Sequence, residues 1–522
     1  MTKGRKKSDG HVVPESRRKA ALTAERQGGK VVTASEQTRQ LRMNLGTADS
    51  PKGDALVTEA GQPSSSSSAV PKPRSRKRRV APAMTMEEVA NEGTLREAFV
   101  QVKSNDGAPG PDGWSVEEVA RHLNDILPVL IRELLEETYQ PGAIRRVWIP
   151  KAGGGQRGLG IPDVIDRMVQ QAVHLVMQPH YQPTFHPSSH GFQEGKSCHT
   201  AIAEATKYLE EGYEWVVDID LEKFFDQVHH ERLLARLGQK VSDHRLLRLI
   251  RRMLKAKVVM PDGVVVSTDE GTPQGGPLSP LLSNIVLDEL DRELEERGHR
   301  FVRYADDCNI YVRSERAGQR VMESIVRFIS KRLRLKVNPT KSAVARPEER
   351  HFLGFRLRRE PLDGSVEVLL SKRSRDRIYK KIQQMTPKRW GQKLSRCIRE
   401  LNGYLIGWIG FFRICTGSEE RTLRAIDAHI RRRLRAILLR QWKRKRTIVK
   451  RLIRLGVKRK TAWRQVYKGR QSLWALSHNV AVERGLRNAY FAERGLTSVF
   501  ERWTAWNQSI GIASAQLTLP WR

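Results

Sequence analysis

Residues 301–314 read FVRYADDCNIYVRS. Phe301, Val302 and Tyr304 precede two adjacent aspartates, Asp306 and Asp307, and Ile310, Tyr311 and Val312 follow them. Aromatic and β-branched residues on both sides predict two strands, and the acids between them predict the turn of a β-hairpin. An Asp-Asp turn needs no function to explain it, because aspartate is an ordinary turn residue. The pair gains chemical meaning only when further acids are brought beside it.

A second acidic element lies upstream, in EWVVDIDLEKFFDQVHH, residues 214–230. Trp215, Val216 and Val217 lead into Asp218, Ile219 and Asp220, so a strand of buried type ends in acids, and LEKFFDQV then leaves strand periodicity. Three or four carboxylates in one dry pocket repel one another unless a cation compensates them. Hard divalent ions do this, Mg²⁺ preferring carboxylate, phosphate and water oxygens, and a pair of such ions is a standard device for in-line phosphoryl transfer. The competing reading places Asp218 and Asp220 on an exposed edge strand, and from these residues alone both readings stand.

Composition narrows the partners. The 522 residues carry 94 Lys+Arg against 58 Asp+Glu, a formal charge of +36. Such a charge opposes compaction and points to a polyanionic partner, nucleic acid before membrane surface. No apolar run reaches the roughly 18 to 20 residues of a spanning helix, and the N-terminus has no signal-peptide core, so a cytoplasmic protein without a membrane partner is expected. Cys198, Cys308, Cys397 and Cys415 form no CxxC pair and have no histidine at zinc-ligand spacing, which predicts buried thiols and no zinc site.

Along the chain, residues 1–80 are poor in large apolar side chains and carry a serine run, Ser64–Ser68, and then PKPRSRKRR. This segment is expected to be a disordered basic extension, with Arg74–Arg79 serving as a phosphate-binding arm rather than a nuclear-localisation signal. From 86 to 140 apolar residues recur at helical spacing around the turn-rich SNDGAPGPDG. Residues 147–355 mix short strands with helices, and after about 370 only cationic helical patterns remain. Between Arg431 and Arg459 fourteen of twenty-nine residues are Lys or Arg and none is acidic. Single-sign cations on a helix suit phosphates opposite, since like charges one turn apart repel.

YADD after a strand, DLEKFFD upstream and GTPQGGPLSPLLSNIVLDELD between them resemble the palm of a reverse transcriptase. Together with NEGTLREAFVQVKSNDGAPGPDG, IPKAGGGQRGLGIP, SSHGFQEGKSCHTAI, LKVNPTKS, FLGFRL and LNGYLIGWIGFF, the set resembles the reverse transcriptase–maturases of group II introns, collinearly over about 86–500. The resemblance implies an α+β right-hand polymerase fold: fingers and an antiparallel palm over 81–365, a helical thumb and maturase (X) region over 366–470, and a short tail over 471–522. That tail is a candidate DNA-binding segment, and no HNH endonuclease is expected after Cys415.

Site residues follow from the same likeness. Asp220, six residues before Asp226, would join Asp306 and Asp307 as catalytic ligands of two Mg²⁺ ions, with Mn²⁺ as a substitute. Lys151 and Arg157 would grip the incoming dNTP from a glycine-rich turn, Phe225 would exclude a ribose 2′-hydroxyl, and Gln274 would pack on the nucleotide beside Gly275 and Gly276. Lys341 would lie on the primer side, and Arg431, Arg433, Lys443, Arg444, Lys445 and Arg446 would hold RNA. Trp408 and Trp442 are expected in the core. The implied partners are group II intron RNA, an RNA template with a DNA primer, dNTPs and a DNA target. The alternatives are an intron-independent reverse transcriptase in phage defence or repair, and a splicing-only RNA-binding maturase; intact Asp220, Asp306 and Asp307 speak against the latter.

Overall fold

The computed structural model describes residues 83–518 except 151–154, 268–269, 273, 388–389 and 469–471, with side chains described to residue 509. The expected disordered extension over 1–80 and Lys151 lie outside the described residues.

After a one-turn helix at Met86–Val89 come two longer helices, α1 (Glu92–Asn105) and α2 (Val116–Leu135). Ser115 starts α2 with a reciprocal cap, its side chain accepting from Glu118 N while the Glu118 carboxylate accepts from Ser115 N. A hairpin of β1 (Ile144–Pro150) and β2 (Gln156–Ile161) follows, extended by the short strands β4 (Val258–Val259) and β5 (Val265–Val266) in the order β2-β1-β4-β5.

The central sheet is built from β3 (Trp215–Ile219), β6 (Arg300–Tyr304), β7 (Asp307–Val312) and β8 (Ala343–Ala345) in the order β6-β7-β3-β8, antiparallel throughout. Successive side chains on a strand point to opposite faces. On one face Val217, Ile219, Phe301, Cys308, Ile310 and Val312 join a core with α1, α2, α3 (Val164–Tyr181), α7 (Ser279–Glu296) and α8 (Glu315–Phe328). On the other, Val216, Val302, Tyr304 and Tyr311 join a second core with α4 (Cys198–Glu210) and the C-terminal helices. Burial on both faces explains why these strands read as continuous apolar runs rather than alternating ones. Two shorter helices, α5 (His230–Leu237) and α6 (His244–Leu254), complete the first core.

The hairpin of β9 (Phe355–Arg359) and β10 (Val366–Leu370) spans the boundary expected at 365, so the last strand ends at Leu370. Helices follow: α9 (Lys372–Met385), α10 (Leu394–Phe412), α11 (Glu420–Trp442), α12 (Lys445–Arg454), α13 (Arg459–Tyr467) and α14 (Val499–Thr518). The boundary expected at 470 does not hold as a structural division. Leu476, Val482, Leu486, Phe491, Val499 and Trp503 are buried in the same core as α10 and α11, and the Asp427 carboxylate of α11 accepts from Ser498 Oγ, Val499 N and Phe500 N at the start of α14. The family resemblance implied a tail, but the apolar residues spaced along it enter the core. No described helix is long and apolar enough to cross a membrane, and all four cysteines are buried and unpaired. Trp408 and Trp442 are buried as expected.

Candidate active site

Tyr304 pairs with Asp307, leaving Ala305 and Asp306 as the turn between β6 and β7. Ala305 takes φ +56°, a left-handed conformation that hairpin turns use and that side-chain-bearing residues adopt at a cost. Across the sheet Ile219 pairs with Cys308. The next residues along the same register are Asp220 and Asp307, so strand pairing alone brings the two acidic sequences together.

The charge state reflects the crowding. Loss of hydration and the nearby charges of Asp306, Asp218 and Asp220 push the Asp307 carboxyl up to about 7. Asp306 is also raised, chiefly by loss of hydration, although Arg157 and Lys341 pull it down. Asp307 is nonetheless exposed to solvent and Asp306 partly so.

Asp220 is held by the segment 338–342. Its N–H donates to Ser342 Oγ at 3.0 Å, its carbonyl accepts from Asn338 N at 2.8 Å, and Lys341 Nζ stands 3.0 and 3.2 Å from its two carboxylate oxygens. Asp218 is occupied elsewhere, accepting from Arg350 Nε at 2.9 Å and a terminal guanidinium nitrogen at 2.6 Å. Burial still leaves the Asp218 carboxyl above its ordinary value.

The β1–β2 hairpin reaches the same place. Arg157 on β2 is exposed, contributes to the field at Asp306, and donates from Nε to Gln274 Oε1 at 2.9 Å. The residues expected around a nucleotide thus meet one another directly. Gly275 has φ +133°, and a Cβ there would stand 2.4 Å from the Gly160 carbonyl oxygen. The close approach for which glycine is required is therefore to the β2 backbone. Phe225 sits in a 3₁₀ turn, Phe224–Asp226, with its ring 5.2 Å from that of Phe224 and only 8 % of its surface exposed. Its carbonyl accepts from Thr272 N at 2.6 Å, which ties the FFD turn to the segment carrying Gln274.

The donor set is chemically suited to a hard divalent cation: carboxylates only, two of them raised chiefly by loss of hydration. Among the described residues no three His, Cys, Asp or Glu side chains stand at metal-holding distances, and the Asp220 carboxylate faces the Lys341 ammonium. Lys341 was expected beside the primer, and its ion pair with Asp220 had no local signal: 121 residues separate them.

The cationic helices divide into two groups. Lys443, Arg444, Lys445 and Arg446 are exposed where α11 ends and α12 begins, with the Lys445 ammonium 5.3 Å from the Tyr467 ring centre. Arg433 differs: its Nε donates to Thr386 Oγ1 at 2.7 Å and its terminal nitrogen to the Thr386 carbonyl, so its fork closes the end of α9. Arg431 lines a cavity of about 760 Å³ between α11 and the segment 478–489, together with His429, Arg432, Arg435 and Arg487.

Comparison with known proteins finds two families and several relatives. Residues 149–357 match the reverse transcriptase (RNA-dependent DNA polymerase) family, and residues 375–455 match the group II intron, maturase-specific domain. Protein YkfC of Escherichia coli K12 is 41% identical over 209 residues, 39% of this chain and 55% of that protein. Group II intron-encoded protein LtrA of Lactococcus lactis subsp. cremoris is 28% identical over 360 residues, 52% of this chain and 58% of that protein. The chain thus spans just over half the length of these relatives. Among solved structures, a partial Cas6-RT-Cas1–Cas2 complex is 23% identical, with a TM-score of 0.32 over 47% of this chain and 42% of that one. Members of the reverse transcriptase family use divalent metal ions. A region of the reverse transcriptase family, whose acids are gathered by strand register, is thus followed directly in this chain by a group II intron maturase-specific region.

Proposed function

We propose that this chain is an RNA-directed DNA polymerase that also assists the splicing of a group II intron RNA. The observation that carries the first half is the strand register that sets Asp220 beside Asp307, with Asp306 on the adjoining turn. Asp220, Asp306 and Asp307 would hold two Mg²⁺ ions, or Mn²⁺ in their place, which when bound favour attack by the primer hydroxyl and steady the pyrophosphate leaving group. In the reaction the primer 3′-oxygen forms a bond to the α-phosphorus of a dNTP, the bond to pyrophosphate breaks, and the hydroxyl proton is released. Arg157, steadied by Gln274, offers a guanidinium to the triphosphate as the β1–β2 hairpin closes, with Lys151 expected on its other limb. Phe225 bounds the sugar from below. Lys341, freed from Asp220 when a cation arrives, is available to the primer.

The second half rests on the exposed cations at 443–446 and on the cavity around Arg431. Glu483 engages Arg435 and His478 there, whereas no described carboxylate pairs with Arg431, Arg432 or Arg487. Unpaired guanidiniums around one cavity favour a phosphate-bearing occupant, as intron RNA supplies. Fingers and palm over 81–365, a thumb and maturase region after them, a DNA target and a cytoplasmic location complete the reading.

Primer extension on an RNA template tests the first half. The double substitution Asp306→Ala, Asp307→Ala is expected to abolish cDNA synthesis and to leave intron RNA affinity within about twofold of the parent, since those acids add nothing to phosphate binding. Undiminished extension by that variant sinks the assignment.

A further inference from the structure

Arg303 stands in the middle of β6 with no exposed surface, an unusual place for a guanidinium. It pairs in register with Cys308 and so points to the sheet face opposite Asp307, into the first core. A buried charge persists only when its hydrogen-bonding capacity is met. Here all five N–H donors are used. Nε donates to Asp291 Oδ1 at 2.7 Å. One terminal nitrogen donates to Asn284 Oδ1 at 3.0 Å and the Ala305 carbonyl at 2.9 Å, and the other to Asp291 Oδ2 at 2.5 Å and Ser189 Oγ at 2.7 Å.

The bond to the Ala305 carbonyl separates this cluster from an ordinary core strut. Ala305 is the turn residue at φ +56°, directly before Asp306. The segment Ser188–Gly191 closes on the turn from behind: Arg303 N donates to the Ser188 carbonyl, His190 N to the Arg303 carbonyl, and Asn284 Nδ2 to the Gly191 carbonyl. A Cβ on Gly191 would stand 2.3 Å from Ala305 N, so the backbones meet without a side chain between them.

We infer that Arg303 is a positioning residue for the acidic turn: its guanidinium, clamped by Asp291 and Asn284 on α7, holds the Ala305 peptide so that Asp306 and Asp307 present their carboxylates together. The inference rests on the polymerase reading of those acids. A lysine in its place keeps the charge but cannot make the bidentate contact to Asp291 and also reach the Ala305 carbonyl.

Two variants test it, Arg303→Lys and Asn284→Ala, the second milder because the Asp291 pair stays intact. Hydrogen exchange is read on the peptide covering 304–308, alongside primer extension titrated with Mg²⁺ and Mn²⁺. Both variants are expected to exchange at least several-fold faster at the turn with little change in α4 or α11. Each should also need several-fold more cation for half-maximal extension while template–primer KM is unchanged. A merely structural role lowers the folded fraction and leaves the cation requirement where it was. Unchanged exchange at the turn, or an unchanged cation requirement, in whichever variant folds overturns the inference. If the parent extends no primer, the polymerase reading fails, and the exchange measurement still decides whether Arg303 holds the turn.

Discussion

Phe225 shows how one side chain can serve packing and selection together. Its ring is almost wholly buried against Phe224, which makes it a core residue by surface area, yet its turn begins four residues after Asp220 and is tied by Thr272 to the segment carrying Gln274. Shortening it should therefore do two things. Phe225→Val is expected to lower thermal stability, because a buried ring is replaced by a smaller side chain and a cavity remains. It is also expected to reduce the dNTP-to-rNTP incorporation ratio by on the order of tenfold, the scale on which a single pocket contact discriminates. Competition between labelled dNTP and rNTP in primer extension measures the second effect independently of the first. A variant that loses stability and keeps its selectivity returns Phe225 to the core alone.

At the scale of an element, the loop joining α3 to α4 is secured by one carboxylate. Glu204 on α4 accepts from Ser188 Oγ at 2.6 Å and Tyr208 OH at 2.6 Å, and lies 2.6 Å from His190 Nε2. Loss of hydration raises its carboxyl, but the bonds from His190, Ser188 and Tyr208 outweigh that and hold it at about 2. A carboxyl depressed in the folded state stabilises above its unfolded value, near 4.5, and that contribution is lost as pH falls from there towards 2. With some water still reaching the side chain, the contribution is on the order of 2 kcal/mol. Denaturant titration at pH 6 and at pH 3 should show the parent losing about 1 kcal/mol more stability than Glu204→Gln, since only part of the contribution is gone by pH 3. Equal losses in parent and variant would remove Glu204 from the account of acid sensitivity. This loop carries Ser189 and Gly191, so its security bears on the acidic turn behind which it lies.

Across the whole molecule the excess of cations is unevenly committed. Arg433 is used on Thr386 and Arg435 on Glu483 and the Leu486 carbonyl, whereas Lys443, Arg444 and Arg446 stand exposed. Intron binding governed by phosphates should weaken with salt at a log–log slope of roughly 0.7 to 0.9 per contact. Neutralising Arg431, Lys443, Arg444 and Arg446 together should lower that slope by about 3 and impair splicing at moderate salt. Arg433→Ala should instead lower thermal stability and leave the slope almost unchanged. A salt series of intron affinity and splicing rate on the three proteins separates these effects. A four-site variant with the parent's slope would mean that the α11–α12 corner faces something other than RNA.

Legibility in the sequence followed the range of the interaction. The FVRYADDCNIYVRS hairpin, the acid-ended strand before it and the end of the strands at Leu370 rest on local propensity and on turn chemistry, which neighbouring residues carry between them. So did the burial of Trp408, Trp442 and the four cysteines. Which cations were available was not legible. Arg433 and Lys443 belong to the same unbroken cationic run, and only the arrival of Thr386 beside one of them distinguishes the two. The continuity of 472–503 with the maturase core was hidden in the same way, because an apolar residue in a charged segment becomes core only where another helix covers it. Lys341 on Asp220 and Arg303 beneath Ala305 are pairings set by strand register and helix packing. Local chemistry named the acids, and long-range contacts decided what balances and holds them, since a buried charge is governed by its neighbours in space.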